Sequence, residues 1–265
     1  MPQIMAILNA TPDSFYDGNP QNTAAALLAR AEQFIQEGAD ILDIGGESTR
    51  PGSAPVDEAA ERARVIPFIK LLHQQWPEIA LSLDTTKLAI AKEGLQNGVQ
   101  IINDVSGQPS AALFELVKKF NAKLVLMHTR GTPKTMQAQT DYQDVVREVK
   151  EFLAQKISQA LAAGLKKEQL IIDPGFGFAK TRAQNYQLLK NLRELKSLGV
   201  PLLVALSRKS FLSTPGDTPQ DRLPQTLAAN LLALQQGADI LRVHDVKAIR
   251  QVVQFYQETE GAANA

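Results

Sequence analysis

The sequence predicts a single (β/α)8 barrel spanning residues 1–265, and three observations carry that expectation. Eight short apolar runs recur along the chain, each followed by a helix-compatible stretch. The runs are rich in Ile, Val and Leu, which suits parallel strands covered by helices on one face and packed on the other. Nearly every run ends on a polar residue able to do chemistry, and a barrel gathers the carboxyl ends of its strands at one working face. Regular alternation of strand and helix means parallel topology. A doubly wound open sheet is the structural alternative.

The elements follow in order. Ile4–Leu8 ends at Asn9, and Ile41–Ile44 leads into Gly45-Gly46-Glu47-Ser48-Thr49-Arg50. Ile79–Leu83 ends at Asp84, Ile101-Ile102 at Asn103, and Leu124–Met127 at His128. Leu170–Ile172 ends at Asp173, Leu202–Leu206 at Ser207-Arg208-Lys209, and Ile240-Leu241 at Arg242 with His244 close behind. Between the runs, Leu27, Leu28, Ala31, Phe34 and Ile35 form a helical stripe, opened by Thr23 as N-cap and closed by Gly38. Val145, Val149, Phe152, Leu153, Ile157, Ala160 and Leu161 form a second stripe. Leu227, Ala228, Leu231 and Leu232 form a third, and Val246, Ile249, Val253 and Tyr256 a fourth. His73 reads as surface and Trp76 as packing. Segments 9–22, 45–56, 128–140 and 207–220 exceed the roughly 2–6 residues usual for such connections. Long polar loops over one face serve as lids.

Composition narrows the function. Lys+Arg and Asp+Glu balance at 28 each, so no global field draws nucleic acid or an anionic membrane. There is no cysteine, which excludes disulfides, thiolate nucleophiles and zinc–cysteine sites. Met1-Pro2-Gln3 lacks a basic signal region, and no apolar run approaches the roughly 20 residues that span a bilayer. The expectation is a soluble, cytoplasmic enzyme acting on small molecules.

Asp84, Asn103 and Asp173 would point toward the mouth from neighbouring strands. Buried acceptors need donors, and a flat heterocycle with an amino group and a ring N–H supplies them; capping of the next helix is the competing reading for each. Arg50, Arg208, Lys209, Arg242 and His244 are candidate anion ligands, because strands 7 and 8 of barrels often hold phosphate. Arg binds phosphate bidentately and Lys acts as a point charge. Pairing with rim carboxylates is the alternative, and it weighs most on Arg208. Asn9 offers a hard neutral oxygen suited to Mg²⁺, or else an Asx-turn. In Asp173-Pro174-Gly175-Phe176-Gly177-Phe178 the glycines permit close approach and the phenylalanines offer apolar walls. Asp245 either orients His244 or caps the last helix. No Ser–His–Asp triad or metal-binding histidine pair emerges.

Eight motifs, in this order, resemble those of the dihydropteroate synthases over essentially the whole chain. They are Asn9-Ala10-Thr11-Pro12-Asp13-Ser14-Phe15, Gly45 through Gly52, Ser82-Leu83-Asp84-Thr85, Ile102-Asn103-Asp104, Met127-His128, Asp173 through Phe178, Ser207-Arg208-Lys209-Ser210 and Arg242-Val243-His244-Asp245. The resemblance implies a (β/α)8 barrel that joins 6-hydroxymethyl-7,8-dihydropterin pyrophosphate to p-aminobenzoate, releasing pyrophosphate, in folate biosynthesis. It implies a pterin pocket of Asp84, Asn103, Met127, Asp173 and Lys209 with Arg242 stacked on the ring. Mg²⁺ would sit on Asn9, and pyrophosphate on Asn9, Thr49, Arg50, Arg242 and His244. Thr49, Pro51, Phe178, Lys209 and Ser210 would form the p-aminobenzoate subsite, where sulfonamides compete. Asp84, Lys209, Arg242 and His244 carry the catalytic expectation, and His128 is left without a role.

The family commonly forms homodimers through late helices, and Leu231, Leu232 and Val253 either serve there or pack on the barrel. Tyr16, Asn19, Ala205 and Gln225 depart from the family pattern, Ala205 adding a methyl beside the pterin pocket. The chain also begins closer to its first strand than many relatives do. The inserted Phe-Gly pattern of sulfonamide-resistant enzymes is not evident in residues 45–52, so sensitivity is expected. A pterin-binding methyltransferase domain and a non-catalytic pterin-binding paralogue are the competing readings; intact loops at 49–51 and 207–210 argue against the first.

Overall fold

The computed structural model describes residues 1–10, 20–48 and 52–262. Thr49, Arg50, Pro51 and residues 11–19, Tyr16 and Asn19 among them, therefore lie outside the described residues. The strands are β1 (Gln3–Asn9), β2 (Ile41–Gly45), β3 (Ala80–Asp84), β4 (Ile101–Asp104), β5 (Lys123–Met127), β6 (Leu170–Asp173), β7 (Leu203–Val204) and β8 (Ile240–Val243). The helices are α1 (Pro20–Gln36), α2 (Glu58–Gln75), α3 (Leu88–Gln96), α4 (Ala111–Lys119) and α5 (Val145–Ala162), then α6 (Arg182–Lys190), α7 (Arg193–Lys196), α8 (Leu223–Gln235) and α9 (Val246–Ala262).

Every strand pair is parallel, in the order β6-β5-β4-β3-β2-β1-β8-β7. A bridge between Ile172 and Leu202 closes the ring, with the Ile172 N–H donating to the Pro201 carbonyl at 2.9 Å. The open-sheet alternative is thereby excluded. β7 is shorter than the run Leu202–Leu206 predicts. Beyond it the Lys209 N–H turns back onto the Leu206 carbonyl and Arg208 takes φ +57°, so the chain coils instead of pairing.

Side chains alternate across each strand, as the pleat requires. Leu42, Ile44, Leu81, Leu83, Ile102, Leu124 and Ile172 face outward into a core completed by Phe34, Ile69, Leu72, Val117, Leu153 and Ile249. Inside the ring, Met5, Ile41, Ile101, Val125, Ile171, Leu203, Ala205 and Ile240 form a separate apolar cluster. The methyl of Ala205 therefore joins this inner packing.

The helix-capping alternative fails for all three polar strand ends. Ser110 caps α4 and Thr181 caps α6 in a reciprocal box with Gln184, while the side chain at the α3 cap position is Lys87. Two helical expectations are corrected. Among the described residues α1 runs Pro20–Gln36, so Thr23 lies within the helix and is not its N-cap. In α8 the buried face is Thr226, Ala229, Asn230, Ala233 and Leu234, whereas Leu232 is half exposed. Small side chains face inward there, so the leucine-rich stripe lies on the flank. Val253 is fully buried and belongs to the barrel packing. His73 is exposed and Trp76 packs at the core margin. Among the described residues no helix is long and apolar enough to cross a membrane.

Candidate active site

Two residues beyond the apolar ring, the inward positions become polar. Ile41 is followed by Asp43, Ile101 by Asn103, Ile171 by Asp173 and Ile240 by Arg242, and Val125 is followed by Met127. Asp43, Asn103 and Asp173 are buried. Such a layer stands only if its charges are matched. Arg242 meets the requirement: its Nε donates to Asp43 Oδ2 at 2.6 Å and its Nη2 to Asp84 Oδ2 at 2.7 Å. The Asn103 amide adds a bond to Asp43 Oδ2 at 3.3 Å. Burial works against the Arg242 cation, but Asp43 and then Asp84 overcome it and raise its pKa. Burial likewise lifts the Asp84 carboxyl well above its ordinary value, with Arg242 opposing. Both hydrogen bonds come from guanidinium N–H groups, which fixes the Arg242 head between the two carboxylates.

Asp43 was missed by the sequence reading, which took Ile41–Ile44 as uniformly apolar. Its signal was there: a lone carboxylate at the inward parity of a strand. Ser82 shares the layer, opposite Asp43 in register.

Asp173 and Lys209 form the next side of the mouth. Asp173 Oδ1 accepts the Gly175 N–H at 2.7 Å, and burial raises its carboxyl pKa. Lys209 is partly buried; desolvation pushes its amine down to about 8 against the pull of Asp173. Its Nζ lies 4.5 Å from the centroid of the Phe178 ring, a cation–π distance. Met127 and Phe178 pack with Met136 and Ala179 as an apolar wall. Ser210 opens a short 3-10 turn, Ser210–Leu212, and is exposed.

The cations divide. Arg208 is spent on Asp245, with Nε–Oδ2 at 2.9 Å and a second bond from Nη2, so its rim-pairing alternative is realised. Asp245 thus serves Arg208, not His244. The Arg208 N–H donates to Thr226 Oγ1 at 3.1 Å and its carbonyl accepts from Arg222, so this left-handed residue is pinned and aims its neighbour Lys209. His244 is oriented by Ser207. Ser207 Oγ accepts the His244 backbone N–H at 3.2 Å and stands 3.0 Å from His244 Nδ1. That contact fixes the ring through Nδ1 and leaves Nε2 for a ligand.

For a metal, the described residues hold no cluster of three His, Asp or Glu side chains. Asn9 instead ends β1 opposite Gly45, which stands opposite Asp84. A Cβ on Gly45 would lie 3.8 Å from Asn9 Oδ1 and 3.9 Å from Asp84 Oδ2, so glycine keeps the gap between them clear. One neutral oxygen beside open space fits an ion that keeps its waters and shares substrate phosphates.

A cavity of about 210 Å³ runs from Asp84 and Thr85 past Ser106 and Thr129 to Phe178. Its second-loop border is rooted by charges that the sequence reading overlooked. Lys87 bridges Glu47 to buried Glu61, and Thr85 donates to Glu61 at 2.6 Å. The Gly52 N–H reaches the Pro133 carbonyl at 3.0 Å, joining the loops after β2 and β5.

Polar groups gathered at the carboxyl ends of a closed parallel barrel define the class of barrel enzymes, whose sites lie at that face. The family described as pterin binding enzyme matches residues 5–244. The chain is 44% identical to the dihydropteroate synthase of Synechocystis, covering 94% of this chain and 87% of that one. With the Haemophilus influenzae dihydropteroate synthase it shares 41% identity, covering 99% and 95%. The Xanthomonas albilineans dihydropteroate synthase with 4-aminobenzoic acid superposes at a TM-score of 0.91, with 42% identity over 98% of this chain and 93% of that one. The Yersinia pestis dihydropteroate synthase with a sulfonamide drug superposes at 0.92, with 41% identity over 98% and 94%. The chain belongs to the dihydropteroate synthase family of pterin-binding enzymes.

Proposed function

We propose that this protein condenses 6-hydroxymethyl-7,8-dihydropterin pyrophosphate with p-aminobenzoate, giving 7,8-dihydropteroate and pyrophosphate. The observation that carries the reading is the buried Asp43–Arg242–Asp84 chain beside Asn103, Asp173 and Lys209. Its acceptors match the amino and ring N–H donors of a pterin, and the Arg242 face matches its ring. As the exocyclic C–O bond breaks, pyrophosphate leaves with the electron pair and the carbon gains positive charge. The carboxylates of Asp84 and Asp173 stabilise that charge, and the donors at Lys209 and His244 stabilise the departing anion. The arylamine nitrogen then bonds to the carbon and loses a proton. No enzyme nucleophile enters, in keeping with a site built from acceptors and cations.

Asn9 would hold Mg²⁺ together with the substrate's diphosphate, and that ion, when bound, supplies further charge neutralisation to the leaving group. Thr49 and Arg50 would complete the pyrophosphate site. Thr49, Pro51, Phe178, Lys209 and Ser210 would hold p-aminobenzoate, the position at which sulfonamides compete. We assign the protein to the cytoplasm and to a homodimer. Leu232 on α8 and Phe255 on α9 are 50% and 58% exposed, and support an interface on these late helices.

Purified protein, incubated with both substrates with and without Mg²⁺, is expected to form dihydropteroate in a metal-dependent way that sulfonamide inhibits. No product would overturn the assignment and leave a non-catalytic pterin binder. Full turnover in excess chelator would overturn the role of Asn9.

A further inference from the structure

Lys180 and His128 lie beneath the mouth, and no step of the proposed reaction uses them. Lys180 is only 3% exposed, and its Nζ stands 2.9 Å from His128 Nδ1, 2.9 Å from the Gly175 carbonyl and 3.0 Å from the Phe178 carbonyl. An ammonium has three N–H donors, and here it meets three acceptors. His128 is buried, its ring edge-on to Phe152 at 4.8 Å. Burial and the nearby Lys180 and Arg130 charges hold His128 far below its ordinary pKa. The ring is therefore neutral, and with Nδ1 accepting from Lys180 its proton sits on Nε2.

The loop that this amine gathers is strained and crowded. Gly175, Gly177 and Ala179 all adopt positive φ, at 67°, 80° and 49°. A Cβ at Gly175 would fall 1.9 Å from the His128 carbonyl, so the loop presses directly on the strand β5 exit. Alternating left-handed residues turn the Gly175 and Phe178 carbonyls inward; the first also accepts the Phe178 N–H, while the second has Lys180 as its donor. Asp173 belongs to β6, and Lys209 is aimed by the pinned Arg208. Phe178 has no strand behind it. Its ring packs on Met127 and Met136, and its backbone is tied by the Gly175 carbonyl, which also accepts the Phe178 N–H at 3.1 Å, by the Gly177 N–H donating to Asn185 Oδ1 at 2.8 Å, and by Lys180.

We propose that Lys180 is a positioning residue, held by His128, which fixes the Asp173–Phe178 loop and thereby the aromatic wall of the second-substrate subsite. The proposal rests on the reading that Phe178 faces the arylamine. Burial lowers the Lys180 amine to about 7, with Asp173 opposing and Lys209 and Arg130 reinforcing.

Steady-state kinetics of Lys180→Met, His128→Asn and His128→Leu test this, with wild-type turnover measured first. Wild type without product would fault the assigned reaction and not the clamp. In Lys180→Met, KM for p-aminobenzoate is expected to rise about tenfold or more, as loss of a charged hydrogen bond predicts, while KM for the pterin substrate moves far less. His128→Asn, which keeps an acceptor, is expected to stay near wild type, and His128→Leu to follow Lys180→Met. Equal changes in both KM values, or an unchanged p-aminobenzoate KM, would overturn the proposal. Should Lys180→Met fail to fold, the same split between His128→Asn and His128→Leu decides it.

Discussion

Two successive rings of side chains fill the barrel, one residue pair apart along each strand, and they do opposite jobs. The lower ring of Met5, Ile41, Ile101, Val125, Ile171, Leu203, Ala205 and Ile240 is apolar and buried. The upper ring brings Asp43, Asn103, Met127, Asp173 and Arg242 to the same axis. The lower ring gains stability from burial alone. The upper ring costs stability unless each charge is met, and Arg242, held between Asp43 and Asp84, is the match. Among the described residues, Asn103 Oδ1 and Asp43 Oδ1 at that level are buried without a partner. The period of two in a strand is thus enough to place a packing layer and a binding layer a few ångströms apart.

Three substitutions would test that division. Arg242→Leu strands two buried carboxylates and is expected to lose about 3–5 kcal/mol in denaturant unfolding and nearly all turnover. Wild-type stability there would mean that the upper ring does not need its cation. Lys209→Met is expected to cut turnover about 10²–10³-fold, with less effect on folding. The wild-type rate should also fall as pH rises through about 8, since burial lowers this amine and its cation is the active form. A pH profile flat through that window would remove Lys209 from the charged machinery. Ile101→Val, in the lower ring, is expected to cost about 0.5–1.5 kcal/mol and leave kcat/KM unchanged. A large catalytic loss from that methyl would erase the distinction between the rings.

Much of this was legible along the chain. Asp84, Asn103, Asp173 and Arg242 were readable because each closes an apolar run at or one residue before its strand's end, whereas Lys209, five residues past β7, was readable from the cluster Ser207-Arg208-Lys209. Asp43 was not, since one carboxylate inside a run of Ile and Leu looks like noise until its parity is known. Lys180 was also invisible: it lies past the bend after β6, and its partner His128 follows a different strand, β5. Arg208 shows the reverse limit. It reads as an anion ligand beside Lys209, but the fold gives it Asp245.

The sequence by itself determined the alternation of strand and helix, the parallel ring and the face on which the polar ends gather. Those are local properties of periodicity and composition. Tertiary structure alone decided which charges are spent on one another. Arg242 meets Asp43 across 199 residues of chain, and Lys180 meets His128 across 52. Pairings of that kind are fixed by assembly of the sheet, because only the folded barrel brings distant strand ends within hydrogen-bonding distance and removes the water that would otherwise satisfy them.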